Sequence, residues 1–358
     1  MNAKERILAV YNDEERKNLD RVPTHVQYVD PPFISKYIEY LEDKYDKDVF
    51  NQYFGAPYAL GFDSIFAPFP SSIKFRSIKV LDKQGNSVRI GLNGQKIKQK
   101  TPYYEGGYVY SLETVHRMKE SLQIINKRNQ ISAYLKKYEK IEDKIYPIVM
   151  VDGIFDKAWQ AMGMVEFSKN FSKKTRLYKE LIQFYAHITE TEIKALIDAS
   201  DKKKRVINIL DDVAYRGRTM ISPKRWDEDF LPLYKKITKL ITEAGMVPQI
   251  HTDGDPTDMI PYFQKAGFYG LQGWEGGADP FLINQNFPSF VILGFGDVSH
   301  ILPYGTASEI KLHVQSLMNA LKDNRHFIIG PSTIIQETIS LKNIKIFMAA
   351  VKKYGKYT

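Results

Sequence analysis

Eight short apolar runs, most followed by a segment with helical spacing, constrain this chain more than any other feature. They are VPTHVQYVD (22–30), GFDSIFAPF (61–69), YPIVMVDG (146–153) and RVINILDD (205–212), then MVPQIHTD (246–253), GFYGLQGWE (267–275), FVILGFGD (290–297) and HFIIGPST (326–333). Each is too short for a buried helix and ends in a polar or turn residue. Between them, Pro223 to Ala244 places Trp226, Phe230, Leu233, Ile237, Leu240 and Ile241 near helical spacing, with Ser222 as its cap. Thr306 to Leu321 and Leu341 to Tyr354 repeat the pattern. Strands alternating with helices imply parallel βα units, and eight of them predict an α/β fold, a closed (β/α)8 barrel. A length of 358 residues suits one such domain, 1–358, with insertions.

One region breaks the alternation. Residues 73–110 hold two hairpin-type turns, Gln84-Gly85-Asn86 and Asn93-Gly94, between alternating runs. They predict a small antiparallel β insertion after the second barrel strand, with Glu105-Gly106-Gly107-Tyr108 near the barrel mouth. A lysine-rich helical segment, Leu112 to Tyr138, is expected next.

Composition narrows the chemistry. The chain has no cysteine, which excludes disulfides, thiolate metal sites and a cysteine nucleophile. Any metal must be held by His, Asp, Glu or backbone oxygen. The formal net charge of +9 comes from dispersed lysines without interleaved aromatics, the pattern of a solvated surface rather than a nucleic-acid interface. No stretch has the apolar length of a membrane span, and the charged opening helix lacks the features of a signal peptide. The chain reads as soluble and cytoplasmic.

Parallel barrels carry their active face at the strand C-termini. Reading those ends gives Asp30, Asp152, Asp211 with Asp212, His251 with Asp253, Glu275 and Asp297. Asp30, before Pro31-Pro32, suits a turn, and Asp211 suits a structural acceptor. His251 and Asp253 lie two apart, so on a strand they point the same way, and Glu275 ends the neighbouring strand. One imidazole and two carboxylates can bind a divalent ion, act as a metal-free proton-transfer set, or simply brace a loop. Asp152, Asp212 and Asp297 are the remaining acids expected to shape the pocket and its catalysis. Arg216 and Arg218 can hold an anionic substrate by paired hydrogen bonds. Trp274, Tyr108 and Tyr215 are candidate pocket aromatics. Gly254, Gly276 and Gly277 would let backbone approach a ligand closely.

The order of motifs resembles the uroporphyrinogen decarboxylase superfamily. The resemblance runs from KERILAVYNDEERKNLDRVP through LGFDSI, DGIFDKAWQAMGMVEF and INILDDVAYRGRTMISPKRWDEDFLPLYKKI. It continues through IHTDGDPTDMIPYFQKAGFYGLQGWEGGADP and GFGDVSHILPYGTASEI to SLKNIKIFMAAVKKYG. That superfamily includes decarboxylases and cobamide-dependent methyltransferases. The decarboxylase pattern has arginines after strand one, where this chain reads VQYVDPPFISKY. It has an Asp at the end of strand two, where Pro70 stands, and a His near Pro331-Ser332. The methyltransferase pattern has His-x-Cys after strand five and a further Cys after the last strand. Here His251 matches, Asp253 takes the first Cys position and Ser332 lies near the second. Glu275 resembles the acidic ligand of methionine-synthase-like sites.

The resemblance implies a methyltransferase moving a methyl group between a small substrate and a corrinoid protein or other carrier. A divalent metal, zinc first, would be held by His251, Asp253 and Glu275. The competing expectations are a decarboxylase of uroporphyrinogen or another polycarboxylate, and a non-catalytic small-ligand-binding barrel. Barrels of this superfamily also often pair as homodimers.

Overall fold

A computed structural model describes the chain except residues 77, 82–84, 86, 92, 98–103, 202 and 358. Eight parallel strands lie in sequence order in one sheet. They are β1 (His25–Val26), β2 (Ser64–Ala67), β3 (Tyr146–Asp152), β4 (Val206–Leu210), β5 (Val247–Thr252), β6 (Gly270–Gly273), β7 (Val291–Gly296) and β8 (Phe327–Pro331). A parallel bridge between Thr24 and Ile329 joins the last strand to the first. The result is the (β/α)8 barrel that the alternation predicts. Each predicted run contains one strand, which ends short of the run's last residue where turn residues take over.

Alternate side chains of these strands point inward. Phe66, Tyr146, Ile148, Val206, Val247 and Leu293 fill the barrel as one buried cluster with Ile7, Leu8 and Val10 of the helix Ala3–Val10. That helix plugs the end opposite the strand C-termini. Tyr11, just past it, donates its hydroxyl to Gln249, whose Nε2 donates in turn to Asn208 Oδ1 at 2.8 Å. These two bonds satisfy the Gln249 carbonyl and one Gln249 N–H inside the barrel, where an unmade hydrogen bond costs folding free energy.

The outer helices begin where their caps dictate. Thr306 forms a capping box with Glu309 ahead of Ala307–Leu321, and Ser340 caps Leu341–Tyr354. Ser222 accepts from Arg225 N, as its sequence position predicts. The helix expected from Pro223 is two helices, Pro223–Asp229 and Leu231–Glu243. Pro232 has no N–H for the preceding turn, so the chain starts afresh at Phe230. Among the described residues no helix is long and apolar enough to cross a membrane.

The insertion after β2 is a four-stranded antiparallel sheet of Ile78–Leu81, Ser87–Ile90, Gln95–Ile97 and Tyr104–Gly107. Of its predicted turns, Gln84 and Asn86 lie outside the described residues, whereas Gly94 adopts φ +68° in a tight turn. A Cβ at Gly94 would lie 2.7 Å from Ala161 Cβ, so the turn seats directly on the helix Phe155–Met162 that follows β3. The segment 112–138 is not one helix. The strand Leu122–Ile124 interrupts it, pairing antiparallel with Ile73–Phe75.

Candidate active site

Strand alternation sorts the acids at the barrel mouth. The inward parity that places Val247 and Gln249 in the barrel continues to His251 and Asp253 on β5. On β4 it runs through Val206 and Asn208 to Asp212 just beyond the strand. Asp211 has the opposite parity and is fully buried toward the helices. It accepts from Phe155 N at 3.2 Å, Asp156 N at 2.7 Å and the Tyr234 hydroxyl. Burial pushes its carboxyl up to about 7. Asp211 is thus the structural acceptor, and Asp212 is the acid that faces the mouth.

Asp212, His251 and Asp253 come together. One ligand atom from each lies within 4.8 Å of the others. His251 Nε2 stands 3.6 Å from Asp212 Oδ1 and 3.5 Å from Asp253 Oδ1. The opposite ring nitrogen, Nδ1, is 2.6 Å from Gln272 Oε1 and 3.1 Å from Gln272 O. Both are acceptors, so Nδ1 donates to Gln272 and Nε2 is the nitrogen that faces the two carboxylates. The amide of Gln272 is itself fixed, donating from Nε2 to Ser332 O at 2.8 Å and accepting from Gln27 Nε2 at 3.1 Å. A ligating histidine needs such an outer partner to set its tautomer and ring angle.

Among the described residues, Asp253 Oδ1 is buried without a hydrogen-bond partner. Burial holds the Asp253 carboxyl above its ordinary range; His251 opposes that shift and the charge of Asp212 adds to it. Two carboxylates and an imidazole nitrogen thus converge. A nitrogen and two carboxylate donors fit a divalent ion such as zinc.

Glu275 stands outside this trio. Its carboxyl is raised, by burial first and then by the charge of Asp253. Its backbone N–H donates to Gly254 O at 2.9 Å, which ties the loop after β6 to the loop after β5. Asp152 pairs with Lys157 at 3.0 Å. Asp156, passed over in the sequence, is pushed up to about 6 by burial and receives Gln160 Nε2 at 2.6 Å. Asp297 Oδ1 accepts from Ser299 N and His300 N, which makes it a turn acceptor at the rim.

Gly276 and Gly277 line a cavity beside the mouth, and two of the three glycines are closely approached by protein. A Cβ at Gly254 would lie 2.5 Å from the Tyr215 backbone, and one at Gly276 would lie 2.5 Å from Arg216 Cγ. They accommodate a small hairpin, Ala214–Tyr215 with Arg218–Thr219, that folds over the mouth. Arg218 stacks over Tyr215 at 5.3 Å, whereas Arg216 lines a cavity of about 440 Å³ together with Trp274, Glu275, Phe295 and Ser332. Tyr108 is buried and meets Tyr110 ring to ring at 6.5 Å, while the next residue, Val109, is tied to Ala161 O.

Trp274 and Phe295 are stacked at 5.2 Å and 11°. Both are bulky residues in the left-handed region, at φ +77° and +68°. Each such conformation costs on the order of 1–3 kcal/mol and persists at sites where surrounding structure enforces it. Phe295 and Gln272 had escaped the sequence reading. The available signal for Gln272 was a polar residue in the middle of an otherwise apolar strand run.

The family model for uroporphyrinogen decarboxylase matches residues 88–354. A methyltransferase from Methanosarcina mazei shares the fold at a TM-score of 0.65 and 17% identity, covering 99% of both chains. A putative vitamin-B12 independent methionine synthase from Listeria monocytogenes aligns at a TM-score of 0.35 and 12% identity, over 62% of this chain and 70% of that one. Comparison with curated protein sequences gives no match. With the family match spanning well over half of its length, the chain belongs to the uroporphyrinogen decarboxylase family.

Proposed function

We propose that this chain is a methyltransferase, moving a methyl group between a small substrate and a corrinoid protein or other carrier. His251, Asp253 and Asp212 would hold a divalent ion, zinc being the best fit to the donor set. Asp212 thereby replaces Glu275 in the ligand set that the resemblance implies. The carrying observation is the trio itself, in which Asp253 Oδ1 is buried without a hydrogen-bond partner among the described residues and lies 3.5 Å from His251 Nε2. The fold alone would not carry this reading.

The ion would act as a Lewis acid on a methoxy, amine or thiol substrate. Gln272 holds the His251 ring in the ligating tautomer. Glu275, whose carboxyl is raised by burial, would be the group that donates a proton beside the site. When a substrate heteroatom loses its methyl group to the carrier, it retains the bonding electron pair and takes that proton. Decarboxylation of a polycarboxylate is disfavoured by the same geometry, because the carboxylates of Asp212 and Asp253 would repel a polyanion.

The test is metal content and methyl transfer on the same preparation. Protein purified without chelators should carry about one ion per chain, lost in His251→Ala. It should also demethylate a donor with cob(I)alamin as acceptor. Folded, metal-free protein without transfer would overturn the reading. Conversion of uroporphyrinogen to products with fewer carboxylates would replace it with the decarboxylase. Tight ligand retention with neither activity would mark a binding barrel.

A further inference from the structure

The cavity beside the trio has a composition that the proposed reaction leaves unexplained. Its wall is the stacked Trp274–Phe295 pair, held by two left-handed backbone conformations. Its rim carries Arg216, whose stem lies across Gly276 and which has no ion pair or hydrogen bond among the described residues. Of the other charged groups on the rim, the Glu275 carboxyl is hydrogen-bonded to Thr333. Asp297 receives two backbone N–H groups and faces His300 at 3.7 Å. The second arginine of the hairpin, Arg218, is stacked over Tyr215. Ser332 links the cavity to the trio, because its carbonyl anchors the Gln272 amide that orients His251.

We infer that this cavity is the substrate subsite, and that it takes a small methylated monoanion whose carboxylate is held by Arg216 and whose apolar body lies on the Trp274–Phe295 wall. The assignment rests on the methyl-transfer reading for its biological sense, but the binding it predicts is independent of turnover. A guanidinium presents a planar fork that matches a carboxylate, and it keeps its charge at any physiological pH. Aromatic faces beside it favour methyl and methylene groups. A cavity of about 440 Å³ admits a small organic acid and falls at the lower end of ligand-site sizes.

The test compares (methylthio)acetate with its neutral isostere (methylthio)acetamide, titrated against the full chain by calorimetry. The acid should bind about 10-fold or more tightly than the amide, the discrimination given by one charge-assisted contact. Arg216→Ala should bring the acid down to the level of the amide, with Arg218→Ala within about 2-fold of wild type. Phe295→Leu should weaken both compounds while keeping their ratio. Equal binding of acid and amide, no binding of either, or an acid preference that survives Arg216→Ala would each overturn the assignment. If the acid binds as expected and no methyl transfer or metal is found, the subsite stands and the reaction falls. If transfer occurs on neutral donors only, the reaction stands and the subsite falls.

Discussion

His251 Nε2 lies 3.5 Å from Asp253 Oδ1, and that oxygen has no hydrogen-bond partner among the described residues. A buried carboxylate oxygen without a hydrogen bond is a costly arrangement unless a cation joins it. Asp253→Asn and Asp212→Asn should each lower metal occupancy at least about 10-fold, with Glu275→Gln retaining most of it. Metal titration on the three variants separates this trio from a ligand set that includes Glu275. Equal loss in Glu275→Gln would restore the set that the sequence implied.

Gln272 should matter to His251 without touching a ligand. Replacing it with Leu removes the Nδ1 acceptor and the anchor to Ser332 O. Metal affinity should fall about 10- to 100-fold while thermal stability changes little. An unchanged affinity would show that the ring is oriented by packing alone.

Asp211 should carry stability rather than chemistry. It satisfies two buried N–H groups and the hydroxyl of Tyr234. Asp211→Ala strands all three donors and should cost about 3 kcal/mol in urea unfolding. A loss below about 1 kcal/mol would mean that water replaces the carboxylate.

The hairpin over the mouth depends on Gly254, which has φ +85° and no room for a Cβ. Gly254→Ala should destabilise the chain by about 2 kcal/mol and weaken binding of (methylthio)acetate, because Arg216 rides on that hairpin. Retained binding would detach the hairpin from the subsite.

Acid should loosen the far end of the barrel through His326. Burial first, then Arg16, lowers its pKa to about 4, against about 6.5 in an unfolded chain. The unfolded chain therefore protonates first. The contribution of His326 is intact above about pH 6.5 and is lost as pH falls through about 4. Between pH 7 and 4.5, His326→Gln should lose about 1 kcal/mol less stability than wild type, allowing for solvent screening of this half-buried ring. Parallel urea curves for both proteins at both pH values would refute the assignment.

The barrel and the region of its site were legible in the sequence. Eight apolar runs ending in turn residues, spaced by helices, leave few alternatives to eight parallel strands, because parallel neighbours need a crossover between them. The i, i+2 spacing of His251 and Asp253 placed both on the inner face for the same local reason. Asp211 reads as a structural acceptor and Asp212 as a pocket acid in the sequence alone. The tertiary structure decided that Asp212, and not Glu275, stands with His251 and Asp253, and that the helix bearing Tyr234 supplies Asp211 with a donor. It also decided that Gly254 and Gly276 serve the hairpin after β4 and that Gln272 orients His251. Both depend on lateral neighbours about twenty or more residues away in sequence, and on strand register that no local pattern encodes. The strain at Trp274 and Phe295 belongs to the same class, since a left-handed aromatic is enforced by its surroundings and has no signature in the residue itself.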